Sequence, residues 1–289
     1  MLEVKHQSKG LVSHGVSACA GCGLEIVMRS AMRVLGEDTM IIIPPGCAAL
    51  FSGFGKETAL KIPGFQGNLE NSAACASGLR AALNAKGNTH TKVLAFAGDG
   101  ATVDIGIQAL SGVLERRDKV IYICYDNEAY MNTGIQSSSS TPQFASTTTT
   151  PAGKNTGRKD LVQIAISHDI PYAATASIYN IKDLERKIEK ASEVDGPSLV
   201  HVHAPCPTGW RYDPSKTIQV ARAAVETGCW IQYEYENGKY TLNYNRKALK
   251  PIEEYVGLQG RFKKMSAEDK KTMQENVKAH FDKYTGKMI

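Results

Sequence analysis

Two runs of almost continuously apolar residues constrain the fold of this 289-residue chain most strongly. Residues 93–97 read Val-Leu-Ala-Phe-Ala and residues 120–125 read Val-Ile-Tyr-Ile-Cys-Tyr, with helical periodicity between them. A strand that is apolar on both faces must be covered on both, and strands that alternate with helices form parallel sheets. The chain is therefore predicted to be an α/β protein, with a mostly parallel sheet covered by helices on both faces.

The same periodicity predicts further elements on either side of these runs. Strands are expected at 40–43, 93–97, 120–125 and 198–203, and helices at 24–35, 73–85, 104–115, 160–167, 182–191 and 267–284. Near the C-terminus, Asn237-Gly238 interrupts an alternating segment, which is typical of a β-hairpin with a type I′ turn. We expect the chain to form a single domain over 1–289, in which 211–289 is a C-terminal arm whose hairpin and helix lie outside the main sheet.

The composition excludes several classes of function. Hydrophobic residues make up 42% of the chain, which is enough for a full core without disulfides. The N-terminal segment has no apolar core of signal-peptide length and no stretch is long enough to span a bilayer, so a cytoplasmic protein with reduced thiols and no membrane contact is expected. The net charge of +5 reflects the Lys-rich stretch 261–287, which we interpret as a solvated amphipathic helix. No nucleic-acid-binding motif accompanies it, so no nucleic acid partner is expected.

Four cysteines stand on Gly- and Pro-rich turns rather than inside predicted helices. They are Cys19, Cys22, Cys47 and Cys206. Soft thiolates on such turns are ligands for an iron-sulfur cluster or for structural zinc, and the Cys-x-x-Cys pair alone does not distinguish the two. The zinc alternative would make the chain a non-redox binding or assembly module.

Other conspicuous residues have a structural interpretation. His201 and His203 alternate with valines at the end of a strand and are interpreted as structural histidines. The segment 137–157, with four consecutive serines and four consecutive threonines, is expected to be a solvated loop, or else a lid over a ligand. Small buried thiols are expected at Cys75, Cys124 and Cys229.

Polar residues follow two consecutive predicted strands directly. Gly98-Asp99-Gly100 comes after the first strand and Asn127 after the next. In a parallel sheet these strand ends meet at one edge, where ligands bind. A carboxylate with neutral oxygens suits Mg²⁺, and glycines before a helix N-terminus let the backbone approach a diphosphate. The pattern therefore predicts a magnesium-diphosphate site.

The Gly98-Asp99-Gly100 motif, followed after 26 residues by Asn127, resembles the thiamine diphosphate motif of thiamine-dependent enzymes. Together with four further motifs, the chain resembles the beta subunit of a 2-oxoacid:ferredoxin oxidoreductase of the pyruvate synthase type. Those motifs are Cys-Ala-Gly-Cys-Gly at 19–23, Gly-Cys at 46–47, Tyr-Asp-Asn-Glu-Ala-Tyr-Met-Asn-Thr-Gly-Ile-Gln at 125–136 and Ala-Pro-Cys-Pro-Thr-Gly-Trp at 204–210. The resemblance covers about residues 10–245 and implies a thiamine diphosphate-binding fold.

The resemblance assigns roles to individual residues. It implies a 4Fe-4S cluster held by Cys19, Cys22, Cys47 and Cys206, on loops near 15–50 and 204–210. It implies that Mg²⁺ takes side-chain oxygens from Asp99 and Asn127 and the backbone carbonyl of Ala129, and that Asn132 presents its amide to the substrate. The expected contacts with thiamine diphosphate are Gly46, Cys47, Gly98, Asp99, Gly100, Asn127, Ala129 and Asn132.

The implied activity is the oxidative decarboxylation of a 2-oxoacid with coenzyme A to an acyl-CoA and CO₂, with electrons passing to ferredoxin. The expected partners are the alpha and other subunits of the same enzyme, one of which supplies the activating glutamate, so the chain alone should be inactive. Pyruvate is the first expectation, because residues 127–136 look most like those of the pyruvate and branched-chain enzymes. Residues 44–71 depart from the pyruvate pattern, so branched-chain, phenylglyoxylate-like and oxalate substrates stay open. Thiamine-dependent decarboxylases and acetolactate-type ligases share the motif but usually occupy a longer chain.

Overall fold

The computed structural model describes residues 8–53, 58–244 and 248–286, and these form an eight-stranded sheet. Its strands lie in the order β2-β1-β3-β4-β6-β5-β7-β8. The first six run parallel to one another, β7 pairs antiparallel with β5, and β8 pairs antiparallel with β7. They are β1 (Thr39–Ile43), β2 (Gly64–Gln66), β3 (Lys92–Gly98), β4 (Ile121–Asp126), β5 (Tyr172–Ser177), β6 (Ser198–His203), β7 (Tyr233–Glu236) and β8 (Lys239–Leu242). The prediction of a mostly parallel sheet is confirmed.

Helices cover both faces of this sheet, as predicted. One apolar core forms against α1 and α6, and a second forms against α3, α4, α5 and α10. The α-helices are α1 (Gly23–Leu35), α2 (Ala49–Ser52), α3 (Ser72–Ala85), α4 (Ile107–Glu115), α5 (Leu161–Ile166), α6 (Ile181–Glu193), α7 (Pro207–Trp210), α8 (Thr217–Glu226), α9 (Glu253–Val256) and α10 (Ala267–Thr285). Among the helices in the described part of the chain, none is long and apolar enough to cross a membrane.

The two apolar runs are the central strands β3 and β4. Phe96 and Ile123 enter the first core, while Ala95 and Tyr122 enter the second, which explains why these strands are apolar at almost every position. The helix expected over 104–115 begins later than predicted, at Ile107. A π-helical turn (Gly100–Asp104) precedes α4, and π-helical turns of this kind occur often at functional sites.

The prediction that the C-terminal hairpin lies outside the main sheet is wrong. Strand β7 pairs antiparallel with β5, from Tyr172 opposite Glu236 to Ala174 opposite Glu234, and β8 extends the sheet further. Without the hairpin, β5 would be an edge strand with unpaired backbone groups, and pairing removes that cost. Residues 245–247 and 287–289 of the expected arm lie outside the described residues.

Helix α10 is joined to the main body along one side only. A capping box between Ser266 and Asp269 begins the helix, and Phe281 and Tyr284 enter the second core. The Tyr284 hydroxyl donates to Asp160 Oδ2 at 2.5 Å. The interpretation of the stretch 261–287 as a solvated amphipathic helix fits the other faces of α10. It is wrong for Arg261, which precedes the helix and is buried.

Replacing Gly238 by alanine is expected to lower the free energy of unfolding by about 1 kcal/mol, the usual cost of a left-handed backbone in a residue with a Cβ. Asn237 and Gly238 have φ values of 47° and 86°, as a type I′ turn requires. Urea unfolding followed by circular dichroism measures the change. The matched control is Gly78→Ala in α3, where a Cβ would meet no atom within 4 Å of the described structure, and which should stabilise the chain. Equal losses in both variants would contradict the turn assignment.

Candidate active site

Asp99 and Asn127 lie side by side at the carboxyl edge of the sheet. Strands β3 and β4 are adjacent and parallel, and their register places Gly98 opposite Tyr125. Asp99 and Asn127 therefore follow their strands within one residue of the same level, and both side chains are buried. The sequence-based expectation that topology brings these two residues together agrees with this geometry.

Three groups converge at this edge. One of the two terminal atoms of the Asn127 amide, which are oxygen and nitrogen, points toward the other two groups. It lies 2.9 Å from the Ala129 carbonyl oxygen and 3.1 Å from Asp99 Oδ1. With nitrogen in that position, the amide donates to both oxygens. With oxygen there, the amide nitrogen lies 3.9 Å from Cys47 Sγ, and three oxygens face one another. Adjacent ligands of an octahedral Mg²⁺, each about 2.1 Å from the metal, are about 3 Å apart, so the Asn127 position has the spacing of an adjacent ligand to each of the other two oxygens.

The Asp99 carboxylate is almost completely buried. Ser138 Oγ donates to Asp99 Oδ2 at 2.5 Å, which leaves Oδ1 directed toward Asn127. Burial, and then the nearby Asp126 carboxylate, raise the pKa of Asp99 well above its usual range. A bound cation acts in the opposite direction, because it stabilises the ionised carboxylate. The site therefore has the electrostatic character of a cation site.

A cleft opens directly above these oxygens, and it contains every residue expected to contact thiamine diphosphate. The loop after β1, the ends of β3 and β4, and the loop that follows β4 form its walls. We call it the cofactor cleft; its lining includes Pro45, Gly46, Cys47, Leu69, Gly98, Asp99, Gly100, Asn127, Ala129 and Asn132. Asn132 is exposed at the opening, where an amide can reach a substrate.

Two glycines in the cofactor cleft cannot carry a side chain without displacing an aromatic ring. A Cβ on Gly98 would lie 3.1 Å from the Tyr125 ring, and a Cβ on Gly100 would lie 2.4 Å from the Tyr130 ring. Tyr125 in turn fixes the opposite wall, because the backbone N–H of Ala48 donates to its hydroxyl at 3.2 Å. The Gly-Asp-Gly motif thus reflects close packing as well as access to a diphosphate.

The four motif cysteines gather on the side of the cofactor cleft where Cys47 lies. Cys22 is the N-cap of α1 and Cys206 the N-cap of α7, and the backbone N–H of Gly23 donates to the Pro205 carbonyl at 3.2 Å, which joins the two loops. Within the described residues, no group of three or more His, Cys, Asp or Glu side chains is arranged around a single ion. A 4Fe-4S cluster binds each thiolate through a different iron, so its ligands do not converge on one point as they do around zinc.

The motif thiols lie close enough to influence one another electrostatically. Burial, with smaller contributions from the thiols of Cys206 and Cys19, raises the pKa of Cys22 to about 11. Burial likewise raises the pKa of Cys47 to about 12, with contributions from the same group. Neutral thiols are therefore favoured at pH 7 without metal, and a metal centre that binds here must displace their protons.

Comparison with known proteins gives the family. Residues 45–202 match the model for the thiamine pyrophosphate enzyme, C-terminal TPP binding domain. Over 279 residues, the chain is 48% identical to pyruvate synthase subunit PorB of Methanothermobacter thermautotrophicus, covering 95% of this chain and 97% of that protein. Over 275 residues, it is 47% identical to ketoisovalerate oxidoreductase subunit VorB of Pyrococcus abyssi, covering 91% and 88%. The chain belongs to the family of 2-oxoacid oxidoreductase beta subunits.

A solved structure supports the fold of this beta subunit. A 2-oxoglutarate:ferredoxin oxidoreductase from Magnetococcus marinus matches with a TM-score of 0.62 at 21% identity, covering 77% of this chain and 81% of that chain. This match confirms the thiamine-binding fold, while the relatives and the family model named above confirm the family and the assignment as an oxidoreductase subunit. The relatives are named for different 2-oxoacids and are almost equally similar to this chain, so identity does not select a substrate.

The first part of the Ser/Thr-rich segment of the beta subunit is buried, not a solvated loop. Ser138 and Ser140 are buried and donate to Asp99 and Asp126, each at 2.5 Å. Thr141 donates to the Glu128 carbonyl at 2.7 Å. The expectation of a solvated loop is wrong here because short hydroxyl side chains satisfy carboxylates and carbonyls that the site buries.

A buried charge cluster lies beneath the loop that follows β4, and no sequence motif predicted it. The Glu128 carboxylate accepts from Arg158 at 2.8 Å and from Arg261 at 2.5 Å. These guanidinium groups outweigh the effect of burial and lower the pKa of Glu128. His203, whose pKa burial lowers to about 4, lies 3.9 Å from the same carboxylate, and His201 contacts Asp126 at 2.7 Å. Both histidines lie among these charged and aromatic side chains.

Proposed function

We propose that this beta subunit binds thiamine diphosphate through Mg²⁺ in the cofactor cleft, next to a 4Fe-4S cluster held by the four motif cysteines. One observation carries the proposal. Asn127 lies between the oxygens of Asp99 and Ala129 on one side and the Cys47 thiol on the other. A cation site and a thiol group therefore share a wall, as a redox enzyme that couples the two cofactors requires.

The residues present fit both groups. Asp99, Asn127 and the Ala129 carbonyl would hold Mg²⁺, and the diphosphate would lie in the cofactor cleft beside the start of the following helical turn. When bound, thiamine diphosphate supplies a carbanion that adds to the keto carbon and an electron sink for the departure of CO₂. The chain contributes placement and exclusion of water.

The cluster would be held by Cys19, Cys22, Cys47 and Cys206, and it supplies a one-electron acceptor when bound. Cys47 lines the cofactor cleft itself, so a single residue separates the two cofactor sites. Cys206 accepts a hydrogen bond from the backbone N–H of Gly209 at 3.4 Å. Such hydrogen bonds to sulfur raise the reduction potential of a cluster.

We propose a reaction in which a 2-oxoacid, with pyruvate first, and coenzyme A give an acyl-CoA, CO₂ and two electrons for ferredoxin. Residues 127–136, which look most like the pyruvate and branched-chain enzymes, support this substrate class, and Asn132 lies in the lining of the cofactor cleft. Exposed apolar side chains on segments that lead into the cofactor cleft, Phe65 and Ile105, offer contact surface for a partner subunit. The complete pocket then requires the alpha subunit.

The complex of this chain with its co-purified partner subunits is expected to reduce a viologen dye with pyruvate and coenzyme A. Activity with 2-oxoisovalerate should be at least about tenfold lower, the discrimination that one added methylene can give in a closed pocket. Omitting coenzyme A is the control for acyl transfer. A complex that prefers the branched-chain acid would reassign the substrate, and normal turnover by the isolated chain would contradict the shared-site arrangement.

A further inference from the structure

Two side chains from distant parts of the sequence hold the turn that carries two of the proposed Mg²⁺ ligands. The indole N–H of Trp210 donates to the Asn127 carbonyl at 2.7 Å. The Arg261 guanidinium lies 3.8 Å from the centroid of a Trp210 ring and donates to the Glu128 carboxylate at 2.5 Å. Both residues are almost completely buried. We call them the Trp210–Arg261 pair.

The turn requires such support because its backbone is unfavourable. Glu128, between the ligand residues Asn127 and Ala129, has a φ of 62°, in the left-handed region that residues with a Cβ seldom occupy. Strain of this kind persists only where surrounding contacts enforce it. The carbonyl of Asn127 and the carboxylate of Glu128 are the two points where the Trp210–Arg261 pair makes those contacts.

We propose that Trp210 and Arg261 are positioning residues for cofactor binding: they hold residues 127–129 so that the Asn127 amide and the Ala129 carbonyl face Asp99. This inference rests on the proposed magnesium-thiamine function. Neither side chain lines the cofactor cleft, so both act through the turn. Trp210 also ends the helix whose N-cap is Cys206, and the pair thereby connects the segment that carries Cys206 with residues 127–129.

Trp210→Phe tests the inference, because phenylalanine retains a ring beneath Arg261 and removes the donor to Asn127; the loss of ring volume is matched by the control below. The dissociation constant of thiamine diphosphate, measured in the assembled complex with Mn²⁺ in place of Mg²⁺ by electron paramagnetic resonance, is expected to rise about tenfold, the low end of the loss for residues that orient metal ligands. The rate at saturating cofactor should stay within about twofold, because the reacting groups are unchanged.

Trp230→Phe is the matched control. Trp230 is also buried, and it stacks on His203 at 4.8 Å, but its indole N–H has no hydrogen-bond partner among the described residues. Its loss should leave the cofactor dissociation constant within about twofold, since no donor to a ligand residue is removed. Equal weakening in both variants would overturn the positioning role and reduce Trp210 to a packing residue.

Arg261→Lys provides a second measurement that does not depend on the stability of Trp210→Phe. Lysine retains the charge near Glu128 but loses the planar stack on Trp210, so cofactor affinity should fall in the same direction. If Arg261→Lys and Trp210→Phe both bind the cofactor as tightly as the wild type, the positioning inference is overturned and the proposed function stands. A wild-type complex that binds no metal-thiamine diphosphate would overturn the proposed function, and the inference with it.

Discussion

Asp99→Asn is expected to abolish thiamine diphosphate binding by the assembled complex, with a loss of affinity of at least about 100-fold, since even residues that only orient ligands cost roughly 10–100-fold. Asp99 provides the one carboxylate of the proposed Mg²⁺ site, and the neutral amide cannot replace its charge in a buried position. Isothermal titration with Mg²⁺ and thiamine diphosphate measures the change. Retained binding would refute the cation assignment.

The fold should survive this substitution. Burial and the neighbouring Asp126 raise the pKa of Asp99, so the folded chain binds that proton more tightly than the unfolded chain does. Without cofactor, the stability of the wild type should therefore fall as the pH rises from about 4, the unfolded value, whereas Asp99→Asn lacks this contribution. Asp195→Asn is the control, because that carboxylate is 98% exposed and should affect neither property.

Cys206→Ser is expected to remove the iron and acid-labile sulfide that this chain contributes to an anaerobically purified complex, about four iron atoms per chain for a 4Fe-4S centre. The hydroxyl of serine is a poor substitute for a thiolate ligand. Metal analysis and the visible absorption spectrum measure the loss.

Cys75→Ser controls for the chemistry of the substitution, because Cys75 lies in α3, away from the four motif cysteines, and should retain full iron content. Stoichiometric zinc without iron in the native complex would contradict the cluster and support the zinc-stabilised module instead.

The parallel part of the fold was predictable because its signals are local. Strands buried on both faces carry unbroken apolar runs, and α1, α3 and α6 have clear helical periodicity. Strand β5 was not predicted, because Tyr-Ala-Ala-Thr-Ala-Ser has little β-propensity and depends on pairing with β6 and β7. The predicted position of the hairpin was wrong for the same reason. Its turn is encoded locally, but the strand it pairs with is chosen by tertiary contacts.

In the candidate site, too, some residues could be predicted from local signals and others could not. Asp99 and Asn127 follow recognisable strands, so their meeting follows from topology alone. Ser138 could not be predicted, because a serine run has no period that indicates which hydroxyl reaches a carboxylate. The burial of Arg261 could not be predicted, because Arg261 adjoins a Lys-rich segment with the pattern of a solvated helix. A charge separated by 133 residues from its partner leaves no local pattern.

That separation has a consequence for biosynthesis. At roughly 5–20 residues per second, Arg261 leaves the ribosome about 7 to 27 seconds after Glu128, the residue it neutralises. During this interval Arg158, which follows Glu128 by 30 residues, is the first of the two guanidinium groups to arrive. The contacts that hold residues 127–129 are therefore complete only after residue 261 of 289 has been synthesised, and a ligand that requires the fixed turn finds it only in the nearly finished chain.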